Sequence, residues 1–159
     1  MNTLHGRIRR RLYAAWFNMK IRCTDPSHDS WKYYGAKGIR VCEEWARDFG
    51  VFCDWALAMG YSDDKSIDRI DNDKDYAPQN CRLATREQQA RNRGKAANCT
   101  SRYKGVSWRP DVRKWVCHVN CRGLPSHVGF FDDEREAARA YNTVAAERFG
   151  EFVHLNVID

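Results

Sequence analysis

The sequence has little proline, four residues in 159, and no apolar run near the ~20 residues that span a bilayer. The second absence argues against a membrane-spanning helix and for a protein without a membrane partner. The amino-terminal stretch MNTLHGRIRRRLYAAWF also lacks the apolar core of a secretory signal. Seven cysteines without such a signal point to thiols that are buried or metal-bound rather than disulfide-paired, so the expectation is a cytoplasmic protein. No internal repeat or low-complexity segment is present, which excludes solenoids and tails.

Acidic residues are nearly missing from one segment. Residues 102–131 carry one acidic side chain against six basic ones, whereas residues 132–159 carry seven against three. Lys and Arg outnumber Asp and Glu by 27 to 21 over the whole chain, a net charge of +6. A sorted charge of this kind suits a polyanion on one face, as a protein with a dedicated nucleic-acid face would sort it.

Apolar residues at helical spacing with interleaved arginines predict a basic amphipathic helix over residues 7–22. A second helix is expected over 43–59, stopped by Gly60. Residues 66–70 alternate like a strand, 72–79 read as a turn and 81–84 as a returning strand, with Thr85 capping a helix through Asn92. The polar stretch 96–101 reads as a linker between domains at 1–95 and 102–159. Beyond it, β-like runs at 103–109, 114–121 and 126–131 precede a helix over 133–149 whose stripe is Ala137, Ala138, Tyr141, Val144, Ala145 and Phe149. The fold class is α+β: a ββα unit with flanking helices, then a three-stranded antiparallel sheet on one helix.

A single divalent ion needs few protein ligands on a phosphodiester, because water and phosphate supply the rest. Asp68 at a strand end and Gln89 on the following helix can supply them; otherwise both are ordinary turn and surface residues.

The stretch SIDRIDNDKDYAPQNCRLATREQQARNR, with RCTDPSHDSWKYYGAKGIRVCEEW upstream, resembles a phage-type branch of the HNH endonuclease family over about residues 7–93. The resemblance implies that Asp68 and Gln89 bind a catalytic Mg²⁺ or Mn²⁺ and that Asn80 bridges the turn to hold both strands. Arg69 stands where that family has its general-base histidine, and arginine cannot serve as a base because its pKa exceeds about 12. Arg69 then either holds phosphate, with Tyr34, Tyr33 or Tyr76 handling the proton, or marks a nuclease that no longer cuts.

Cys23, His28, Cys42 and Cys81 are candidate ligands of a structural Zn²⁺ that would staple a domain with a small core; free buried cysteine is the alternative, and Cys53 reads as core.

The second half, YKGVSWRPDVRKWVCHVNCRGLPSHVGFFDDEREAARAYNTVAAERFGEFVHLN, resembles the APETALA or ethylene-response-factor type of DNA-binding domain over about residues 102–156, a type also found in homing endonucleases. The resemblance implies a sheet that enters the major groove with Lys104, Ser107, Arg109, Arg113, Trp115, His118, Asn120, Arg122 and His127 on its exposed face or turns. Trp108, Phe130 and Phe131 are the apolar partners available to the helix.

These readings lead to a divalent-metal-dependent DNA endonuclease of homing type, acting on DNA as a monomer or a homodimer and without a small-molecule substrate. The rival readings are a DNA-binding regulator with a silent nuclease scaffold, and a zinc-stapled interaction protein without DNA, which leaves the charge sorting unexplained.

Overall fold

The computed structural model describes residues 4–95 and 99–159. It is mixed α+β, and the chain divides into two compact units, Met1–Gln89 and Ala90–Asp159. That division falls earlier than the expected linker at 96–101, of which 96–98 lie outside the described residues. Residues 91–93 are held by the second unit itself: the Lys104 ammonium donates to the carbonyls of Arg91 and Arg93, and the Arg91 guanidinium lies over the Phe149 ring.

In the first unit, α1 (Leu4–Thr24) places Ile8, Leu12, Trp16, Met19 and Cys23 on one stripe of i, i+4 spacing against a core of Trp45, Phe52, Cys53 and Ala56. The single helix expected over 43–59 is two helices, α2 (Glu43–Arg47) and α3 (Phe49–Ala58). The break is Asp48, whose backbone is extended and whose carboxylate accepts from the Gly50 amide at 2.6 Å. Aspartate competes in this way with the helix ladder and favours a cap over a helix interior. The corner lets Trp45 pack edge-on to Phe52 and against Trp55, with ring centroids 5.2 and 4.6 Å apart.

Next come β1 (Lys65–Arg69) and β2 (Cys81–Thr85), antiparallel with Asp68 opposite Arg82, and then α4 (Arg86–Asn92). Thr85 and Gln88 form a reciprocal capping box: the Thr85 amide donates to Gln88 Oε1 at 2.8 Å and the Gln88 amide to Thr85 Oγ1 at 3.3 Å.

The second unit is a meander of β3 (Val106–Arg109), β4 (Lys114–His118) and β5 (His127–Phe131) with α5 (Glu134–Phe149) packed on it. The strands are shorter than the runs that predicted them, because the chain turns off the ladder before Val106 and after His118. Asp133 caps α5, accepting from the amides of Arg135 and Glu136. Ala137, Ala138 and Ala145 are fully buried, which lets helix and sheet approach closely. Phe131 joins this core, but Phe130 points away from it and is 47% exposed. The carboxyl-terminal tail is clasped by two amides: Asn156 exchanges side-chain hydrogen bonds with both backbone groups of Lys104, and Asn142 does the same with Asn156.

Gly105 fixes how near α5 can lie to the start of β3. Its φ is +75°, and a Cβ there would stand 2.1 Å from the Tyr141 ring and 2.7 Å from the His118 carbonyl. Gly105→Ala is expected to destabilise this unit by about 3 kcal/mol through combined strain and overlap, read as a lower urea midpoint at unchanged slope.

Candidate active site and nucleic-acid interface

Buried polar side chains concentrate in the β1–β2 hairpin: Asp68, Arg69, Asn80 and Arg82 are all less than 9% exposed. Such groups are costly unless partnered, and all four are. The Asp68 Oδ2 accepts from Arg82 Nε at 3.1 Å across the strand pair. Arg82 was not singled out from the sequence; the signal available was its place directly opposite Asp68 once the hairpin register is drawn.

Asn80 closes the turn. Its Oδ1 accepts from the Asp71 amide at 3.0 Å, and its Nδ2 donates to the carbonyls of Asp71 and Asp75 at 3.1 and 2.9 Å. Its own carbonyl accepts from Ile70, so one residue braces both ends of the loop. Asp75 passes the brace on, accepting from the Arg40 amide, while residues 40–42 pair with Tyr76. Gln89 lies on α4, and its Nε2 donates to the Ile67 carbonyl at 3.1 Å. The amide therefore stands at the peptide unit that leads into Asp68.

Arg69 is enclosed rather than open. Its guanidinium lies 5.0 Å from the Tyr34 ring centroid and 4.8 Å from that of Tyr76, and its Nη1 donates to the Lys74 carbonyl at 2.7 Å. Arg22, from the end of α1, approaches the same two rings at 4.6 and 4.9 Å, and its Nη1 lies 3.4 Å from the Tyr34 hydroxyl. Arg22 is thus a member of this cluster that the sequence did not disclose. Burial holds the Tyr76 phenol well above its ordinary pKa, which removes it as a proton acceptor near neutral pH. Tyr33 is 58% exposed with Lys32 beside its ring, and Tyr34 is half-buried against Arg22.

Cys23, His28, Cys42 and Cys81 do not come together as a metal-holding set: among the described residues no three His, Cys, Asp or Glu form such a group. Cys23 and Cys81 are instead core residues, Cys42 packs against the same core, and His28 Nδ1 accepts from the Ser30 amide at 3.1 Å. Burial pushes the thiols of Cys23 and Cys42 up, and that of Cys81 up to about 12.

The cations of α1 are also largely engaged. Arg7 and Arg11 pair with Asp63, Lys20 donates to the Ala46 carbonyl, and Arg9 lies over Phe49.

In the second unit the residues expected at DNA divide into groups. Arg113 in the β3–β4 turn, and Asn120 and Arg122 beyond β4, are exposed; Arg113 holds a left-handed φ of +52°. Arg109 is exposed but forks onto both oxygens of Asp111 at 2.9 and 2.7 Å. Ser107, His118 and His127 lie on the sheet face away from α5, with the two imidazoles edge to face at 5.4 Å. Burial, then His127 and Arg109, lowers the His118 pKa. Two expectations are corrected. Trp115 lies on the helix side, opposite Phe131 in register and edge-on to Trp108. Lys104 turns inward onto the carbonyls of Arg91 and Arg93, and burial lowers its pKa to about 8.

No family model matches the chain, and no solved structure matches it. The chain is 39% identical over 69 residues to the dehydration-responsive element-binding protein 2D of Arabidopsis thaliana, a match covering 42% of this chain and 33% of that protein. It is 33% identical over 94 residues to an uncharacterized HNH endonuclease, L560, of Acanthamoeba polyphaga mimivirus, covering 58% of this chain and 48% of that one. The matches thus span a third to a half of the relatives' own lengths. One likeness is to a protein named as an HNH endonuclease and the other to one named as an element-binding protein.

The thiols give a direct check on the packing. Exposed Cys99 should react at once with an aromatic disulfide reagent, whereas Cys81 and Cys117, the latter's thiol held up to about 11, should react only at the rate of unfolding. Because the folded chain keeps these protons above pH 9, where an unfolded thiol begins to lose them, stability should also fall as pH rises beyond that point. Peptide mapping after a short pulse of label, with urea melts across alkaline pH, measures both.

Proposed function

We propose that this protein is a divalent-metal-dependent DNA endonuclease of homing type, in which the second unit binds duplex DNA and the β1–β2–α4 unit hydrolyses a nearby phosphodiester bond. The observation that carries the reading is local: in a hairpin of two short strands and the helix after it, the Gln89 amide donates to the Ile67 carbonyl, one residue before Asp68, whose carboxylate pairs with Arg82. A carboxylate and an amide are hard oxygen donors of the kind Mg²⁺ or Mn²⁺ takes, and a phosphate and water complete such a shell. When bound, the ion would neutralise phosphate charge and activate water.

The remaining work falls to the chain. Asp68 and Gln89 hold the ion's place, with Arg82 as the alternative partner that Asp68 must release. Arg69 cannot take a proton and serves as fixed positive charge, while Asn80 keeps the loop closed. Hydrolysis forms a bond from water oxygen to phosphorus, breaks the opposite P–O bond and returns a proton to the leaving oxygen. In this reading Tyr34, with Arg22 at its hydroxyl, is the group that orients the attacking water. The likeness to a protein named as an HNH endonuclease and to one named as a dehydration-responsive element-binding protein supports both halves of this reading.

One observation favours a second reading, a DNA-binding regulator that retains a silent scaffold: Asp68 is already neutralised by a buried arginine. Supercoiled plasmid carrying duplexes selected by the protein separates the two. Nicked or linear product with Mg²⁺ or Mn²⁺, lost with chelator and reduced at least about 100-fold in Asp68→Ala, supports the nuclease. Equal cutting by Asp68→Ala would mean contamination and leave the regulator standing. On the binding side, Arg122→Ala and Arg113→Gly, the latter suited to the left-handed backbone, should each weaken affinity and reduce the slope of log K against log salt by about 1.

A further inference from the structure

The uncovered face of the β3–β4–β5 sheet has a specific order of chemistry. Its middle row, read across the register, is Ser107, Val116 and Phe130. One neighbouring row is Arg109 and Lys114, with Lys114 Nζ reaching Asp132 at 2.9 Å. The other is the imidazole pair His118 and His127, and the His127 ring lies 4.9 Å from that of Phe130. Hydrogen-bonding groups thus flank, on both sides, a central row that is apolar at Val116 and Phe130. Within that row Val116 is 2% exposed, and its register partner Phe130 is 47% exposed.

A large ring in the middle of a cationic, polar face has no partner within the unit's own core, which lies on the opposite side of the sheet. Arg109 and Lys114 each hold a carboxylate, but exposed Arg113 in the β3–β4 turn and Arg122 in the loop after β4, within a segment of six basic side chains against one acidic, point to a polyanion as the occupant. A ring pressed against a polar base edge would leave that edge's donors and acceptors unpaired. The major groove offers one apolar feature, the C5-methyl of thymine; the edges of guanine, cytosine and adenine are polar.

We propose that Phe130 is a specificity-determining residue that reads the thymine C5-methyl in the major groove, with the Arg109–Lys114 and His118–His127 rows addressing the polar edges and phosphates on either side. This rests on the DNA-binding half of the proposed function and is independent of whether the protein cuts.

The test uses the full chain. Duplexes are enriched from a random-sequence pool, and the tightest is remade with deoxyuridine replacing each thymidine singly, a change that deletes only the methyl. Wild type is expected to bind about fourfold more weakly at one or two positions, the effect of one buried methyl. Phe130→Ser should erase that difference while keeping the salt dependence of binding, and Phe130→Leu, which preserves an apolar contact, should retain it. Thermal melts check that both variants fold, as an exposed edge-strand position permits. Uracil tolerated at every position, or a uracil penalty of the same size in Phe130→Ser, overturns the assignment. Tighter binding to the single strand than to the duplex also overturns it and assigns the ring to base stacking. Failure of wild type to bind any duplex removes the DNA-binding reading itself, an outcome distinct from duplex binding that ignores the methyl.

Discussion

Two opposite charges facing each other across a pair of five-residue strands, both almost out of water, constrain the whole candidate active site. Removing either partner would leave the other buried and uncompensated, which typically costs 3–5 kcal/mol, roughly. The hairpin is too short to hold that pair by its own ladder, so the surroundings do it. Asn80 ties the turn to itself, Asp75 and Tyr76 tie the turn to residues 40–42, and Gln89 ties the following helix to the strand. The result is a carboxylate whose position is fixed but whose charge is already answered. The divalent ion proposed at Asp68 would have to compete with Arg82 for that carboxylate.

The positive charge of the chain is distributed by the same logic. Much of the excess that a count reveals is spent inside the fold. Arg69 and Arg22 share two tyrosine rings, Arg82 answers Asp68, Lys104 serves backbone carbonyls, and Arg148 donates to the carbonyls of Val119 and Pro125. Arg7 and Arg11 share Asp63. On the second unit Arg113, Arg122, Arg135 and Arg139 are exposed, while Arg102, Arg109 and half-buried Lys114 each hold a carboxylate. The net charge therefore describes a tendency toward polyanions, while the local pairing decides which side chains carry it.

The sheet of the second unit gains its two faces from strand alternation. Val106, Trp115, Cys117 and Phe131 fall on the side that α5 covers, and Ser107, Val116 and Phe130 on the other. A bulge between Cys117 and His118 keeps His127 on the outer face with Phe130, although the two are an odd number of residues apart. Without that irregularity the imidazole pair would be split between faces.

Much of this was legible in the chain. The α+β class, the hairpin and helix around Asp68, the Thr85 cap and the alanine stripe of α5 follow from periodicity and capping chemistry, which act between residues close in sequence. The surroundings of the candidate site residues were less legible, because they depend on partners far along the chain. Arg22 and Arg82 met Tyr34 and Asp68 only through folding, and Lys104 and Trp115, which look like surface contacts in sequence, turn inward. The four candidate zinc ligands have the right chemistry, yet spacing cannot say whether side chains separated by turns will converge. The sequence by itself determined which elements form and where charge accumulates, since those depend on local propensity and composition. Only the tertiary structure decided which charges remain free to act, because burial and pairing are properties of contacts between distant residues.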